Sequence, residues 1–374
     1  MKKNFSRREV LKTIGLTIGG TAISAIGFSG TGEIMNKVLT DPLKETGNKP
    51  SDPARIIGAW NEWGRLREAV LGYIDDLAEP GYIDALVWVS EEGKAALRQN
   101  AGKLTTEAYP EIAQSIKNTI ETLEKVLQEN GVTVYRTKPI PPESTEEKTY
   151  LKNIQVGNYT IGGADFFRVF GTRVILLNSF HLPFRRNNIW SVRRVLEPIL
   201  EETNTPYFCT PPPSPHYTRD ELYLENGDMM VDGNNVYVGM SGNATSPKGV
   251  AWLKSWLGNE YKVHVIRLKP GLFHLDWLLT LNRPGLLTYS PDALLDPLPE
   301  PLSKWDKIEI KPDETAGANN LSIDEKTIVV PEHLTRIAEA YYKKGMNVLT
   351  IPARETIEYG SGPRCLTAVL RRDP

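Results

Sequence analysis

The stretch Asp165-Phe-Phe-Arg-Val-Phe-Gly-Thr-Arg-Val-Ile-Leu-Leu177 starts on a carboxylate, runs into an apolar strand, turns at Gly171 and returns as a second apolar strand. β-branched and aromatic residues on either side of a tight turn specify a hairpin. The unit recurs as Asp228-Met-Met-Val-Asp-Gly-Asn-Asn-Val-Tyr-Val-Gly-Met240, Asp276-Trp-Leu-Leu-Thr-Leu-Asn-Arg-Pro-Gly-Leu-Leu-Thr-Tyr-Ser290 and Asn320-Leu-Ser-Ile-Asp-Glu-Lys-Thr-Ile-Val-Val-Pro-Glu332. A fifth copy, Cys365-Leu-Thr-Ala-Val-Leu-Arg-Arg-Asp-Pro374, is cut short by the chain end. The starting positions 165, 228, 276, 320 and 365 are 63, 48, 44 and 45 residues apart.

Helical sequence follows the hairpins at 189–203, 247–258 and 332–345, and strand sequence comes next at 262–268 and 347–351. Strand-strand-helix-strand at a period of about 45 residues is a repeat architecture, not a doubly wound sheet. The truncated fifth copy lacks a partner strand, and Arg65-Leu-Arg-Glu-Ala-Val-Leu-Gly72 supplies one. The first unit then takes that strand, a helix at 108–130 and a strand at 133–137. A ring closed by the two ends of the chain pairs every sheet edge. The sequence therefore predicts an α/β fold of five ββαβ units around one axis, with Asp165, Asp228, Asp276 and Cys365 facing a shared cavity.

Cys365 follows the turn Gly360-Ser-Gly-Pro-Arg364. Glycine there permits backbone geometry that brings a side chain to the mouth of a cleft, and Arg364 is expected to favour thiolate over thiol. A lone cysteine is more often a packing residue, but the recurring polar heads of the other copies count against that reading here. Asp165 and Asp276 lead apolar strands, where an unpaired charge is costly. His274 lies two residues before Asp276, on the same side by strand alternation, and Glu225 and Asp228 flank Asn226-Gly227. The five histidines, at 181, 216, 264, 274 and 333, show no metal-ligand spacing, and no Gly-x-Ser-x-Gly elbow is present. Neither a metal, another cofactor nor a serine hydrolase is expected.

One thiol, one imidazole and three or four carboxylates suit a planar cation such as a guanidinium. Carboxylates tie down its nitrogens and hold its carbon over the nucleophile. The bound cation favours the thiolate, and a histidine protonates the departing nitrogen and deprotonates the incoming one. A non-enzymatic periplasmic binding protein for a cationic solute would use the same acidic cavity without needing the thiol.

Residues 1–28 read as an export signal: Ser6-Arg7-Arg8-Glu9-Val10-Leu11-Lys12 has the twin-arginine form and precedes a mildly apolar run to Phe28. The expected partner is the twin-arginine export machinery, and the expected location periplasmic, cell-surface or extracellular. Residues 29–53, with Pro42, Pro50 and Pro53, read as a linker, and 54–374 as one catalytic domain. Residues 1–40 carry six Lys/Arg and two Asp/Glu, a net of +4 within a whole-chain charge of −2, leaving −6 on the remainder. A mildly acidic body without a basic tract excludes nucleic acid as the expected partner. Two cysteines, Cys209 and Cys365, allow at most one disulfide.

In their order along residues 55–374, these motifs resemble those of the guanidino-group modifying enzymes, the superfamily of amidinotransferases and arginine deiminases. Asn61-Glu-Trp-Gly-Arg-Leu-Arg-Glu-Ala-Val-Leu-Gly72 is similar to the opening strand motif of glycine amidinotransferases. Ala164-Asp165-Phe-Phe, Glu225-Asn-Gly-Asp228, Phe273-His-Leu-Asp276 and Gly360-Ser-Gly-Pro-Arg-Cys365 resemble active-site motifs of the superfamily. The resemblance implies a five-unit α/β propeller, the pentein fold. It also implies Cys365 as nucleophile, His274 as general acid/base, Glu225 as that histidine's partner, and Asp165 and Asp276 as the guanidinium grip. Asp228 is placed beside them, and Arg185 or Arg186 is expected to receive a substrate carboxylate. The implied reaction moves an amidino group from arginine or a similar donor to an amine. Glu225 and the Gly-Pro-Arg-Cys loop resemble the deiminase branch and keep hydrolysis as the alternative.

Overall fold

Each polar-headed hairpin of the sequence is an antiparallel strand pair, and each pair carries a third strand laid parallel to its second member. The computed structural model of the chain describes residues 55–374 apart from 76–78, 80, 88, 138–144, 146–162, 187–188, 215–217, 219 and 315. The expected signal and linker, Asn187, Asn188 and His216 lie outside the described residues.

The strands in chain order are β1 (Leu66–Leu71), β2 (Thr133–Arg136), β3 (Phe167–Phe170), β4 (Arg173–Leu176), β5 (Tyr207–Cys209), β6 (Met229–Asp232), β7 (Asn235–Met240) and β8 (Lys262–Arg267). They continue as β9 (Leu279–Arg283), β10 (Leu286–Tyr289), β11 (Asp306–Glu309), β12 (Leu321–Ser322), β13 (Thr327–Pro331), β14 (Asn347–Ile351) and β15 (Thr367–Arg372). They form five three-stranded mixed sheets, β15-β1-β2, β3-β4-β5, β6-β7-β8, β9-β10-β11 and β12-β13-β14. The fold class is thus α/β with a fivefold repeat of one sheet plan. In the first sheet the last strand of the chain pairs antiparallel with the first, Leu66 opposite Arg372 and Leu71 opposite Thr367.

A parallel third strand needs a crossover, and helices supply it. Helix Pro110–Glu129 joins β1 to β2 and buries Ile112, Ile116, Ile120, Leu123 and Leu127, a stripe at helical spacing packed with Leu66, Ala69 and Leu71. Each such side chain contributes about 1.5–3 kcal/mol by leaving water. Ile189–Glu202 and Pro247–Leu257 do the same for the second and third sheets. In the latter, Ser246 caps the first turn by accepting from the Gly249 N–H at 3.1 Å, and Pro247 occupies the position where no donor is missed. The four-residue helix Glu300–Ser303 precedes β11, a strand that the sequence pattern did not resolve.

The heads of the hairpins depart from the sequence reading. Asp165, Asp228 and Asp276 do not lie in strands; they sit in single 3₁₀ turns, Gly163–Phe166, Asn226–Asp228 and Leu275–Trp277, immediately before β3, β6 and β9. Cys365 lies in the short helix Pro363–Leu366 before β15. Strand alternation therefore does not relate His274 to Asp276, because a tight turn separates them. The turn takes the polar head out of the ladder, so its side chain need not stand on a sheet face. A small cavity of about 20 Å³ lies against the leading strands β3, β9, β12 and β15 and against Asn226 in the turn before β6.

Candidate active site

The thiol of Cys365 is buried and engaged from two sides. It donates to Asp276 Oδ2 at 3.1 Å and accepts from the Asn319 amide at 2.9 Å. Asn319 Oδ1 accepts the backbone N–H groups of Arg364 and Cys365, both at 3.1 Å, so one side chain fixes the loop and the sulfur together. Gly362 makes room for it: a Cβ at that position would lie 2.6 Å from Asn319 Oδ1. Burial, then the charges of Asp276 and Asp165, push the thiol well above its ordinary value. Arg364 does not offset this as the sequence reading expected. Its guanidinium is held by Asp276 Oδ2 at 3.0 Å, the oxygen the thiol also meets, by Glu62 Oε2 at 3.3 Å and by the Met229 carbonyl at 2.9 Å.

His274 hydrogen-bonds through Nε2 to Glu225 Oε2 at 2.9 Å. Burial opposes its charge, but the Glu225 hydrogen bond and the nearby Asp228 and Asp165 carboxylates outweigh it and raise the imidazole to about 9. Glu225 is completely buried; despite that burial, Arg185 and His274 bring it down to about 2. The backbone N–H of His181 also donates to Glu225 Oε1 at 3.0 Å. The pair is therefore a carboxylate and an imidazolium at neutral pH. Gly227 permits the ring's approach, since a Cβ there would lie 2.4 Å from His274 Nδ1.

Asp165 and Asp276 each keep one oxygen without a partner among the described residues. Asp165 Oδ2 accepts from Arg185, and Asp276 Oδ2 from Cys365 and Arg364, whereas Oδ1 of both is buried and unpaired. Burial raises Asp165 above its ordinary value. Two buried, unpaired carboxylate oxygens are costly in an empty site and suit a ligand that brings N–H donors and positive charge.

Three of the expected site residues are engaged with the protein itself. Asp228 offers no free oxygen: it accepts the Leu275 N–H and the Thr245 N–H, both at 3.0 Å, and so fixes the turn that carries Asp276. Arg185 is wholly buried with its terminal nitrogens on Asp165 and Glu225, the latter at 2.6 Å, so these meet the site's own carboxylates, and only Nε is without a partner among the described residues. Arg186 spends Nε on the Phe180 carbonyl at 2.9 Å and Nη1 on the Ser214 carbonyl at 2.6 Å, and its Nη2 faces the His181 carbonyl and the Tyr223 hydroxyl. The fold supplies acceptors to both guanidiniums, the Arg185 one wholly buried and the Arg186 one partly so. Asn319 and Glu62 carry geometry that the sequence reading missed. Asn319 stands one residue before Asn320, the head of the fourth copy, and that proximity was the available signal. Cys209 is exposed and not bonded to Cys365.

Set beside proteins of known kind, the chain has its relatives among the amidinotransferases and shares its fold with guanidino-modifying enzymes. It is 24% identical over 425 residues to the mitochondrial glycine amidinotransferase of Danio rerio, across 97% of this chain and 94% of that protein. It is 22% identical over 358 residues to the L-arginine:L-lysine amidinotransferase of Pseudomonas savastanoi pv. phaseolicola, across 84% and 94%. Among solved structures, SxtG, an amidinotransferase from Microseira wollei in the saxitoxin biosynthetic pathway, superposes with a TM-score of 0.71 at 20% identity, over 85% of this chain and 98% of that one. The inosamine-phosphate amidinotransferase StrB1 from Streptomyces griseus gives 0.69 at 20% identity, over 86% and 98%. DDAH from Pseudomonas aeruginosa, in complex with citrulline, gives 0.56 at 15% identity, over 81% and 99%. No protein-family model matches the chain.

Proposed function

We propose that the protein is a cysteine-dependent amidinotransferase that moves the amidino group of arginine or a similar guanidino compound to an amine through a covalent adduct on Cys365. The observation that carries this reading is the pair of unpaired, buried oxygens on Asp165 and Asp276 beside a thiol that is itself hydrogen-bonded to Asp276. A guanidinium held by both carboxylates puts its carbon against the sulfur. Its positive charge cancels the field that keeps the thiol protonated, so binding of the substrate makes the nucleophile. Full-length resemblance to two amidinotransferases supports transfer.

In this reading the S–C bond forms and the C–N bond to the alkylamine breaks. On substrate binding the thiol gives its proton to solvent; the imidazolium of His274 then protonates the departing nitrogen and is left neutral, leaving the released amine and an amidino-cysteine cation. An acceptor amine then attacks the same carbon, the neutral imidazole receives its proton, and a proton returns to the sulfur as the S–C bond breaks. Asn319, which donates to the sulfur, holds it in line throughout. We further read the five sheets as blades of one propeller with the site at one end of its axis. The cavity touched by four leading strands and the turn before the fifth supports this arrangement.

Product analysis tests the reading. Incubation with arginine and glycine, or another small amine, is expected to give ornithine and a new guanidino compound only when the amine is present. Citrulline or urea formed without any acceptor would overturn transfer. A wild-type adduct on the tryptic peptide carrying Cys365, absent from Cys365→Ala, tests the nucleophile separately.

A further inference from the structure

Four ionisable side chains line the cavity between the sheets: Arg168, Arg364, Arg372 and Glu62. All four are at least nine-tenths buried. Glu62 takes Arg168 on one oxygen and Arg364 on the other. Arg364 also holds Asp276 on the active-site side. Arg372 meets only carbonyl oxygens, those of Gly64 at 2.6 Å and Ser322 at 2.7 Å, which carry no net charge. Three cations thus share two carboxylates, and one positive charge is left over in a place without bulk water. The Nε–H groups of Arg168 and Arg364 have no acceptor among the described residues.

We propose that this cavity binds a halide-sized anion among Arg168, Arg364 and Arg372. The charge count supplies the sign, since a buried excess cation is stabilised by a counter-ion more than by a neutral water. The unpaired Nε–H groups supply donors. The volume supplies the size: about 20 Å³ holds one or two water-sized particles, which admits chloride and refuses sulfate, phosphate or a carboxylate. In titration two of the three guanidiniums, Arg168 and Arg372, are lowered, whereas Arg364, despite its burial, is raised by Glu62 and Asp276. Burial lowers Arg168, with the Arg364 charge adding to it. Burial brings Arg372 to about 10, with Arg168 and Arg364 repelling it and Glu62 only partly compensating. The site is distinct from the guanidinium grip, because Asp165, Asp276, His274 and Cys365 are not among the residues that line the cavity, and it offers donors where the grip offers acceptors.

The test uses the intact protein. Crystals soaked in bromide are expected to show an anomalous peak in the cavity against the three guanidiniums. In solution, replacing gluconate by chloride at constant ionic strength is expected to raise the melting temperature along a saturable curve. Arg168→Gln removes the excess charge and is expected to abolish that rise. A cavity that scatters only as water in bromide, with a melting temperature indifferent to the exchange, would overturn the proposal. Should Arg168→Gln not fold, the bromide peak in the wild type decides alone.

Discussion

Asp276 holds the guanidinium grip, the thiol and Arg364 at once, and its substitution separates their effects. Its negative charge, after burial, is the main reason the thiol stays protonated in the free protein. Asp276→Asn therefore has opposite consequences for two measurements. Alkylation of Cys365 by iodoacetamide at pH 8, followed in a Cys209→Ser background, is expected to speed up, by about tenfold for each unit the thiol falls. Guanidino turnover is expected to drop roughly 10- to 100-fold as one charge-assisted bond is lost. Slower alkylation in the variant would mean that Asp276 activates the thiol directly, and substrate-made nucleophile would be wrong. The neighbouring pair has its own pH signature. His274, raised to about 9, contributes stability that is complete below about 6.5 and is lost as pH climbs through 9. Glu225, lowered to about 2, contributes stability present above about 4.5 and lost as pH falls toward 2.

At the scale of the element, the 3₁₀ turns before β3, β6 and β9 and the short helix before β15 are the devices that turn a hairpin repeat into a site. The turn Asn226–Asp228 shows how tightly it is used, since Gly227 lies under the His274 ring with no space for a methyl group. Gly227→Ala is expected to displace the imidazole from Glu225, lower the turnover rate by about 100-fold or more, and cost about 1–3 kcal/mol of stability measured by denaturant. Near-wild-type kinetics would mean that the ring moves freely and that its present place is not the working one. The hairpins were legible in the sequence because period-two apolar runs broken by glycine or asparagine have few other readings. The turns were not, because a polar residue before an apolar run looks the same whether it opens a strand or ends a turn. Asn319 went unread for a related reason: Asn-Asn before a strand is ordinary turn chemistry, and nothing local says that its amide spans to residue 365. Arg185 and Arg186 were placed by charge alone, and charge does not reveal which carboxylates or carbonyls the fold will bring to them.

Across the whole molecule, the pairing of the two ends of the described chain is the feature on which everything else depends. Ala368 and Leu370 of β15 are completely buried in the same core as β3 and β4, and Arg372 bonds to the Gly64 and Ser322 carbonyls, joining the first sheet to the fifth. The Arg372 N–H donates to the Gly58 carbonyl at 2.8 Å, so the last two residues of the chain lie within a few residues of Arg55. A loop of about four to six Gly/Ser residues can therefore bridge 374 to 55 without strain. Opening such a joined chain between Pro284 and Gly285, an exposed turn between β9 and β10, gives a circular permutant in which every sheet keeps its three strands. It is expected to unfold cooperatively with a midpoint close to that of linear 55–374 and to keep its guanidino turnover. The conversion of β15 from a chain end to an internal strand removes only the entropy of its fraying. An insoluble or non-cooperative permutant beside a well-folded linear control would show that the two ends do not meet in register, and the proposed ring of five units would fall with it.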